Sequence, residues 1–286
     1  GGSKGTGGPA PKHDPKLVRS LTQRTCDFME TQARSGKPFF VQVSHYAVHL
    51  DIFYSEDSLK QTKRLAKGKK HTMPEFAAMT RDLDDGIGAV MEKIESLGLK
   101  DNTYVFFLSD NGGRLTMPGQ KNKKLPRNHP LRQGKGSMYE GGLRVPFIAV
   151  GPGIKASHKI AAPIYLQDVM ATSLDIAGAK RPEQVEFQSL LPLLSGKTTE
   201  SEVKAVYGAY LGLQRSVTVG NWKLILYPKI SKTRLYNIKR DPLEMKDLAD
   251  NKKTEKVIKR LYKRLLNLQK ANNDSLDLKA AFPNLT

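Results

Sequence analysis

Residues 103–113 read TYVFFLSDNGG and residues 134–153 read GKGSMYEGGLRVPFIAVGPG. Each stretch joins a short, continuously apolar run to a glycine-rich turn. Runs that are apolar at every position, such as 104–108 and 145–150, fit strands covered on both faces of a parallel sheet. A third run, 39–43, apolar but for Gln42, follows Pro38 in PFFVQVSHYAVH (38–49). Between these runs the spacing turns helical. Over 74–97, Met79, Leu83, Ile87, Val90, Met91, Ile94 and Leu97 keep to one stripe, and Gly98 follows as a stop. Residues 16–33 and 166–177 read as further helices, and 51–72 as a polar surface loop or frayed helix. Strands alternating with helices predict an α/β layer sandwich. After Leu191-Pro192-Leu193-Leu194-Ser195-Gly196 the pattern changes. Residues 203–208, 216–219, 222–227 and 234–237 are short strands at hairpin spacing, and 252–269 is a basic helix. Three segments follow: a loop-like start (1–15), an α/β domain (16–196) and a smaller α+β subdomain (197–286) made of a short antiparallel sheet plus a helix.

The chain has 286 residues, of which 38% are hydrophobic and 26% charged, with mean hydropathy −0.48. That composition excludes a disordered or collagenous chain. No apolar run approaches the roughly 20 residues of a membrane span. A single cysteine, Cys26, excludes an internal disulfide framework. The first twelve residues, GGSKGTGGPAPK, carry no apolar segment of a signal peptide and read like the middle of a loop. The net charge is +19, and between 111 and 139 the chain places seven cations (Arg114, Lys121, Lys123, Lys124, Arg127, Arg132, Lys135) and no acid. Such a stretch attracts anions, although a solvated basic loop has the same composition. No nucleic-acid-binding motif accompanies it, so a nucleic-acid partner is not expected.

Three segments offer chemistry. Asp110-Asn111, just past a strand, supplies hard oxygen ligands suited to Ca²⁺ or Mg²⁺, and Asp-Asn-Gly-Gly is equally good turn chemistry. Lys135, between Gly134 and Gly136, is a cation on bare backbone able to grip an oxyanion as a point charge. The spacing is not that of a Walker phosphate loop. Glu140 and Arg144 stand four apart, the spacing of an ordinary helical ion pair. His45 and His49 follow the run 39–43, where a histidine is placed to pass a proton to a leaving group or to play a purely structural part.

PFFVQVSHYAVH, LSDNGG and GKGSMYEGGLRVPFIAVGPG, in this order, resemble the sulfatase family of the alkaline-phosphatase-like superfamily. The tail RSVTVGNWKLILYPKISKTRLYNIKRDPLEMKDLAD (215–250) is similar to the sulfatase C-terminal subdomain. The resemblance runs from about residue 16 to 250. It implies an α/β/α three-layer sandwich and hydrolysis of an aryl or carbohydrate sulfate ester. The nucleophile in that family is a formylglycine made from a cysteine in a C-x-[PA]-x-R motif, acting beside a divalent cation, usually Ca²⁺. By this resemblance Asp110 and Asn111 are metal ligands, Lys135 and His49 bind sulfate and serve catalysis, and His45 is a substrate-cleft residue. A sulfate-ester substrate is implied, with a sulfated glycan suggested by the basic loop, and a periplasmic or secreted location.

The departures are specific. Cys26 sits in Thr25-Cys26-Asp27-Phe28-Met29-Glu30, without the motif's proline or arginine, and reads as a buried small residue rather than a nucleophile. The family's paired N-terminal aspartates have no match, and Asp51 stands where a proline often follows the histidine. The chain therefore resembles the C-terminal part of a sulfatase without its nucleophile segment. The alternative is a non-catalytic anion- or sulfated-glycan-binding derivative of the fold. A two-zinc phosphoesterase is disfavoured, because His13, His45, His49, His71, His129 and His158 do not cluster in the sequence.

Overall fold

The structure, a computed structural model, describes residues 13–66, 68, 72–117 and 127–285. The glycine-rich start and Lys121, Lys123 and Lys124 of the basic loop lie outside the described residues. The chain divides into two compact units, one ending at Thr103 and the other running from Tyr104 to the C-terminus.

The first unit is helical: α1 (Val18–Ser35), α2 (Glu56–Arg64) and α3 (Pro74–Ser96). The Asp14 carboxylate accepts from the Arg19 and Ser20 backbone N–H groups at 2.9 and 3.0 Å, satisfying donors at the start of α1. Gly36, at φ +65°, closes its other end by donating to the Ala33 carbonyl. Ser55 caps α2, and the Ser55 and Ser58 hydroxyls both donate to Asp82 on α3 at 2.6 Å. Helices α1 and α3 approach closely at Gly86. A Cβ there would lie 2.8 Å from Thr22 Oγ1 and Val18 Cγ1. Residues 39–43, expected as a buried strand, form none: they belong to no ladder among the described residues, and Phe40 and Val41 are exposed. An apolar run records a preference for burial, but a strand also needs a neighbouring backbone to pair with.

The second unit opens with β1 (Val105–Leu108) and β2 (Phe147–Val150), with α4 (Glu140–Leu143) between them. These strands pair antiparallel, Val105 opposite Val150 and Leu108 opposite Phe147, instead of lying within a parallel sheet. Nor are they covered on both faces. Phe106, Phe147 and Ala149 pack on Leu190, Leu193 and Leu194, the last two from α6 (Leu191–Leu194). The other face leaves Phe107, Ile148 and Val150 exposed. Helix α5 (Asp168–Ile176) precedes α6.

A four-stranded antiparallel meander follows: β3 (Val206–Tyr210), β4 (Gln214–Val219), β5 (Trp222–Tyr227) and β6 (Lys232–Asn237). Helices α7 (Glu255–Ala271) and α8 (Leu278–Ala281) close the chain. Period-two alternation sends β5 side chains to two different covers. Leu224 and Leu226 join Val217, Leu235 and the α7 residues Ile258, Leu261, Tyr262 and Leu265. Ile225 packs the other way, with Tyr236, Met138 and Tyr139. This α/β organisation, ending in an antiparallel sheet plus helix, is the one read from the sequence.

The α7 end is tied down by Arg215 on β4. Its Nη2 lies 2.9 Å from Asp274 Oδ1, its Nε donates to Oδ2, and the Tyr207 hydroxyl donates to the same carboxylate. The guanidinium holds the Asp274 carboxyl well below the usual carboxylate range. Stabilisation from a depressed carboxyl is complete above the unfolded value of about 3.9 and is lost as pH falls below it toward the folded value. Asp274→Asn should therefore cost about 3 kcal/mol at pH 7, as for breaking a largely buried pair. In urea titrations the gap between variant and parent should narrow below about pH 4. A gap independent of pH would contradict the assignment. The bare face of the β1–β2 ribbon makes a second prediction: the chain should enhance the emission of an anilinonaphthalene dye, and Phe107→Lys/Ile148→Lys should lower that enhancement without lowering Tm.

Candidate functional site

The SDNGG turn leaves the C-terminal end of β1 and is held by short-range side-chain-to-backbone hydrogen bonds of its own residues. Ser109 Oγ donates to the Asn111 carbonyl at 3.0 Å, and the Asn111 N–H donates to Asp110 Oδ1 at 2.8 Å. Asn111 Nδ2 donates to the Gly112 carbonyl at 3.3 Å, which leaves the amide oxygen as the atom a cation would meet. Gly112 N–H then donates to the Gly142 carbonyl at 3.0 Å. A Cβ at Gly112 would lie 1.8 Å from the Gly141 carbonyl oxygen, so no other residue fits there without displacing the backbone.

The lysine loop is fastened to the same turn. Lys135 N–H donates to the Gly113 carbonyl at 2.9 Å, two residues beyond Asn111. Asn128 bridges the two segments: its Oδ1 accepts from Gly113 N–H at 2.9 Å, and its Nδ2 donates to the Gly113 and Gln133 carbonyls at 2.8 and 3.0 Å. Sequence reasoning missed Asn128. Its only signal was chemical, since a side-chain amide is both donor and acceptor and can join two backbone segments at once. Asp110 and Lys135 are exposed and Asn111 is half-buried.

Behind the loop lies an ion cluster with no warning in local spacing. Lys223 on β5 is fully buried, its Nζ 2.8 Å from Glu140 Oε1 and 2.9 Å from Glu244 Oε1. Glu140, expected opposite Arg144, pairs instead across 83 residues of chain. Its backbone N–H donates to Glu244 Oε2 at 2.7 Å. Burial pushes the Glu244 carboxyl up, against the opposing pull of Lys223. Arg132 donates to the Glu244 carbonyl and stacks over Tyr139 with its guanidinium carbon 4.7 Å from the ring centroid. The sheet thus grips the segment 132–144 at both ends.

His45, His49 and Cys26 belong to the first unit. His49 is exposed, with Nδ1 3.1 Å from the Leu50 carbonyl and its N–H donating to the Tyr46 carbonyl at 2.9 Å. His45 is half-buried, its Nδ1 has no hydrogen-bond partner among the described residues, and burial pushes its pKa down. Cys26 is buried on α1 with Sγ 3.9 Å from the Ala89 carbonyl, and burial pushes its thiol up, the opposite of what a nucleophilic thiolate needs. The structure therefore joins the segments bearing Asp110, Asn111 and Lys135, whereas the histidines stand on a separate unit. Among the described residues no group of three or more His, Cys, Asp or Glu could hold a metal. Asp110 and Asn111 supply two oxygens of the hard type that Ca²⁺ or Mg²⁺ takes, which fits part of a six- to eight-oxygen shell.

The sulfatase family model matches residues 8–179, more than half of the chain. The chain belongs to the sulfatase family. A second model, N-sulphoglucosamine sulphohydrolase, C-terminal, matches residues 133–271. This sulfatase chain is 30% identical over 218 residues to the N-acetylgalactosamine-6-sulfatase of Mus musculus, covering 75% of the chain and 39% of that relative. It is 32% identical over 209 residues to a sulfatase of Formosa agariphila, covering 68% of the chain and 35% of the relative. It thus spans well under half the length of these relatives. Among solved structures, the crystal structure of Ps i-CgsB superposes with TM-score 0.74 at 24% identity, over 88% of this chain and 54% of that one. A protein in complex with its substrate D-glucosamine-2-N,6-O-disulfate superposes with TM-score 0.77 at 19% identity, over 92% and 71%. These two likenesses show the shared fold.

The buried cluster of this sulfatase chain makes a stability prediction. Lys223→Met leaves the Glu244 carboxylate buried without its ammonium and should cost about 3–5 kcal/mol. Adding Glu244→Leu should restore much of the loss, because it removes the stranded charge. Urea denaturation of the single and double variants measures both. A double variant no more stable than the single one would mean that the cost lies in packing.

Proposed function

We propose that the whole protein is a sulfuric ester hydrolase acting on an aryl or carbohydrate sulfate. The observation that supports this reading is the fastening of the lysine loop to the Asp-Asn turn, Lys135 N–H to the Gly113 carbonyl, which brings the segments of Asp110, Asn111 and Lys135 together. Asp110 and Asn111 are assigned to a Ca²⁺ or Mg²⁺ ion, and Lys135 to the sulfate as a point charge. When bound, the ion supplies positive charge against the sulfate oxygens. His49 is assigned by its motif to bind sulfate and pass a proton to the leaving oxygen. His45 is assigned to the substrate cleft; its neutral form, favoured by burial, supports a hydrogen-bonding rather than a charged part.

Relatives named for N-acetylgalactosamine 6-sulfate chemistry and a fold neighbour holding a sulfated glucosamine support a sulfated sugar as substrate. Export to the periplasm or the medium goes with such a substrate. Among the described residues no helix is long and apolar enough to cross a membrane. Sulfatases take their formylglycine from a cysteine in C-x-[PA]-x-R, and Cys26 fits neither by sequence nor by its buried thiol. The second reading is a protein of this fold that binds sulfated anions without cleaving them; within this chain it needs only the basic stretch 111–139 and no nucleophile.

In the whole protein, Asp110→Ala should lower metal content and aryl sulfatase activity together. Lys135→Ala should lower kcat/KM by about 10²-fold or more at unchanged metal occupancy, the usual loss for one electrostatic stabiliser. Elemental analysis paired with kinetics on a chromogenic aryl sulfate separates the two roles. Full metal in Asp110→Ala, or full rate in Lys135→Ala, would overturn the residue assignments. Sulfate-ester binding with no turnover in the whole protein would select the second reading.

A further inference from the structure

We propose that the groove between the β4–β5 hairpin tip and helix α7 is a non-catalytic subsite for one sulfated sugar of a polyanionic glycan. The groove measures about 430 Å³ and is lined by Val219, Asn221, Trp222, Arg260, Leu261 and Arg264. That volume lies within the range of small-ligand sites. Its floor is apolar. Trp222 starts β5 on the α7 side of the sheet, packed against the cluster that contains Leu224 and Leu261, and its ring offers a flat apolar surface to the C–H face of a sugar.

The rim is cationic. Arg260 and Arg264 stand four apart on α7, so they lie one above the other on the same helix face. Both are exposed, and among the described residues neither is held by a carboxylate. The helix carries Lys256, Lys259, Arg260, Lys263, Arg264 and Lys270 against a single acid, Glu255, which pairs with Lys259 at 3.1 Å. A planar guanidinium meets two oxygens of a sulfate group at once, as it does those of a carboxylate or phosphate, and the second arginine can take a further oxygen or the next sulfate. An aromatic floor under paired arginines fits a sulfated sugar better than it fits a lipid surface, which needs projecting apolar side chains.

The position gives the groove a separate task. Lys223, the next residue on β5, points to the opposite sheet face, where it holds Glu140 below the lysine loop. A glycan seated at Trp222 therefore leaves Asp110, Asn111 and Lys135 uncovered, and serves to retain a long chain while a distant unit is processed. The choice of a sulfated sugar rests on the function proposed above, whereas the anion groove itself does not depend on any turnover.

Trp222 is the only tryptophan in the chain, so its emission reports on this groove alone. Titration with a heparin hexasaccharide should change that emission saturably, and the chemically desulfated hexasaccharide should leave it unchanged at tenfold higher concentration. Arg260→Ser/Arg264→Ser, both at exposed positions, should weaken binding about tenfold or more at unchanged Tm, and Trp222→Leu should weaken it by calorimetry. Lys135→Ala should leave the Trp222 response intact, which keeps this test independent of the proposed catalytic assignment. No emission change, or an equal response to the desulfated sugar, would overturn the proposal. So would a response lost in Lys135→Ala, or a single-stranded DNA of equal charge or anionic phosphatidylserine vesicles binding as tightly through the same arginines.

Discussion

The ammonium of Lys223 is fully buried between two carboxylates, one of which is also fully buried. Taking such charges out of water is costly, and their mutual attraction offsets the cost only when every partner is in place. Here each partner comes from a different part of the second unit: Lys223 from the antiparallel sheet, Glu140 from the segment following the lysine loop, and Glu244 from the turn after β6. The cluster therefore has one low-energy arrangement, with the GKGSMYEGG segment laid against the sheet. A set of apolar side chains of equal volume could give similar stability, but it would not define which backbone meets which. Arg132, stacked on Tyr139 and bonded to the Glu244 carbonyl, adds a second directional tie to the same region.

From that anchorage the site is built outward in backbone hydrogen bonds. Gly112, Gly134, Gly141 and Gly142 are positions where any Cβ would strike a carbonyl oxygen within 3 Å. The turn and the loop consequently pack at a distance that side-chain-bearing residues forbid. Asn128 closes the frame by bonding both strands of it. What remains to the outside is chemical equipment on a rigid support: the oxygens of Asp110 and Asn111 on one segment and the ammonium of Lys135 on the other. For the anion proposed here, a frame held by hydrogen bonds would need less reorganisation than a mobile loop.

The antiparallel sheet serves two neighbours through the alternation of one strand. Odd-numbered positions of β5, Lys223 and Ile225, support the candidate site, while even-numbered ones, Trp222, Leu224 and Leu226, face α7 and the basic groove. A strand of six residues thus contributes side chains to both faces of the sheet. Family membership is secured by the match over 8–179, which includes the Asp-Asn turn and the lysine loop, and the C-terminal match over 133–271 includes the lysine loop and the basic groove.

The sequence by itself determined most of the helices and strands and the turns that carry the motifs. Residues 222–227 were read as a strand and are one, and the helix read at 74–97 runs Pro74–Ser96. Alternation and helical spacing are local, so a linear chain displays them without its partners. The turns that carry Asp110, Asn111 and Lys135 were legible for the same reason, since glycine neighbours advertise a tight turn. Only the tertiary structure decided pairings. The run 39–43 looked like a core strand yet has no ladder, and β1 and β2 pair antiparallel with one bare face instead of lying inside a parallel sheet. Glu140 illustrates the difference most directly. Its nearest opposite charge in sequence is Arg144, four residues on, but its carboxylate meets Lys223 on a strand 83 residues away. Helical spacing offers a solvated pair worth a few tenths of a kcal/mol, whereas a buried ammonium must find every carboxylate within reach, and which ones are within reach is a property of the folded chain.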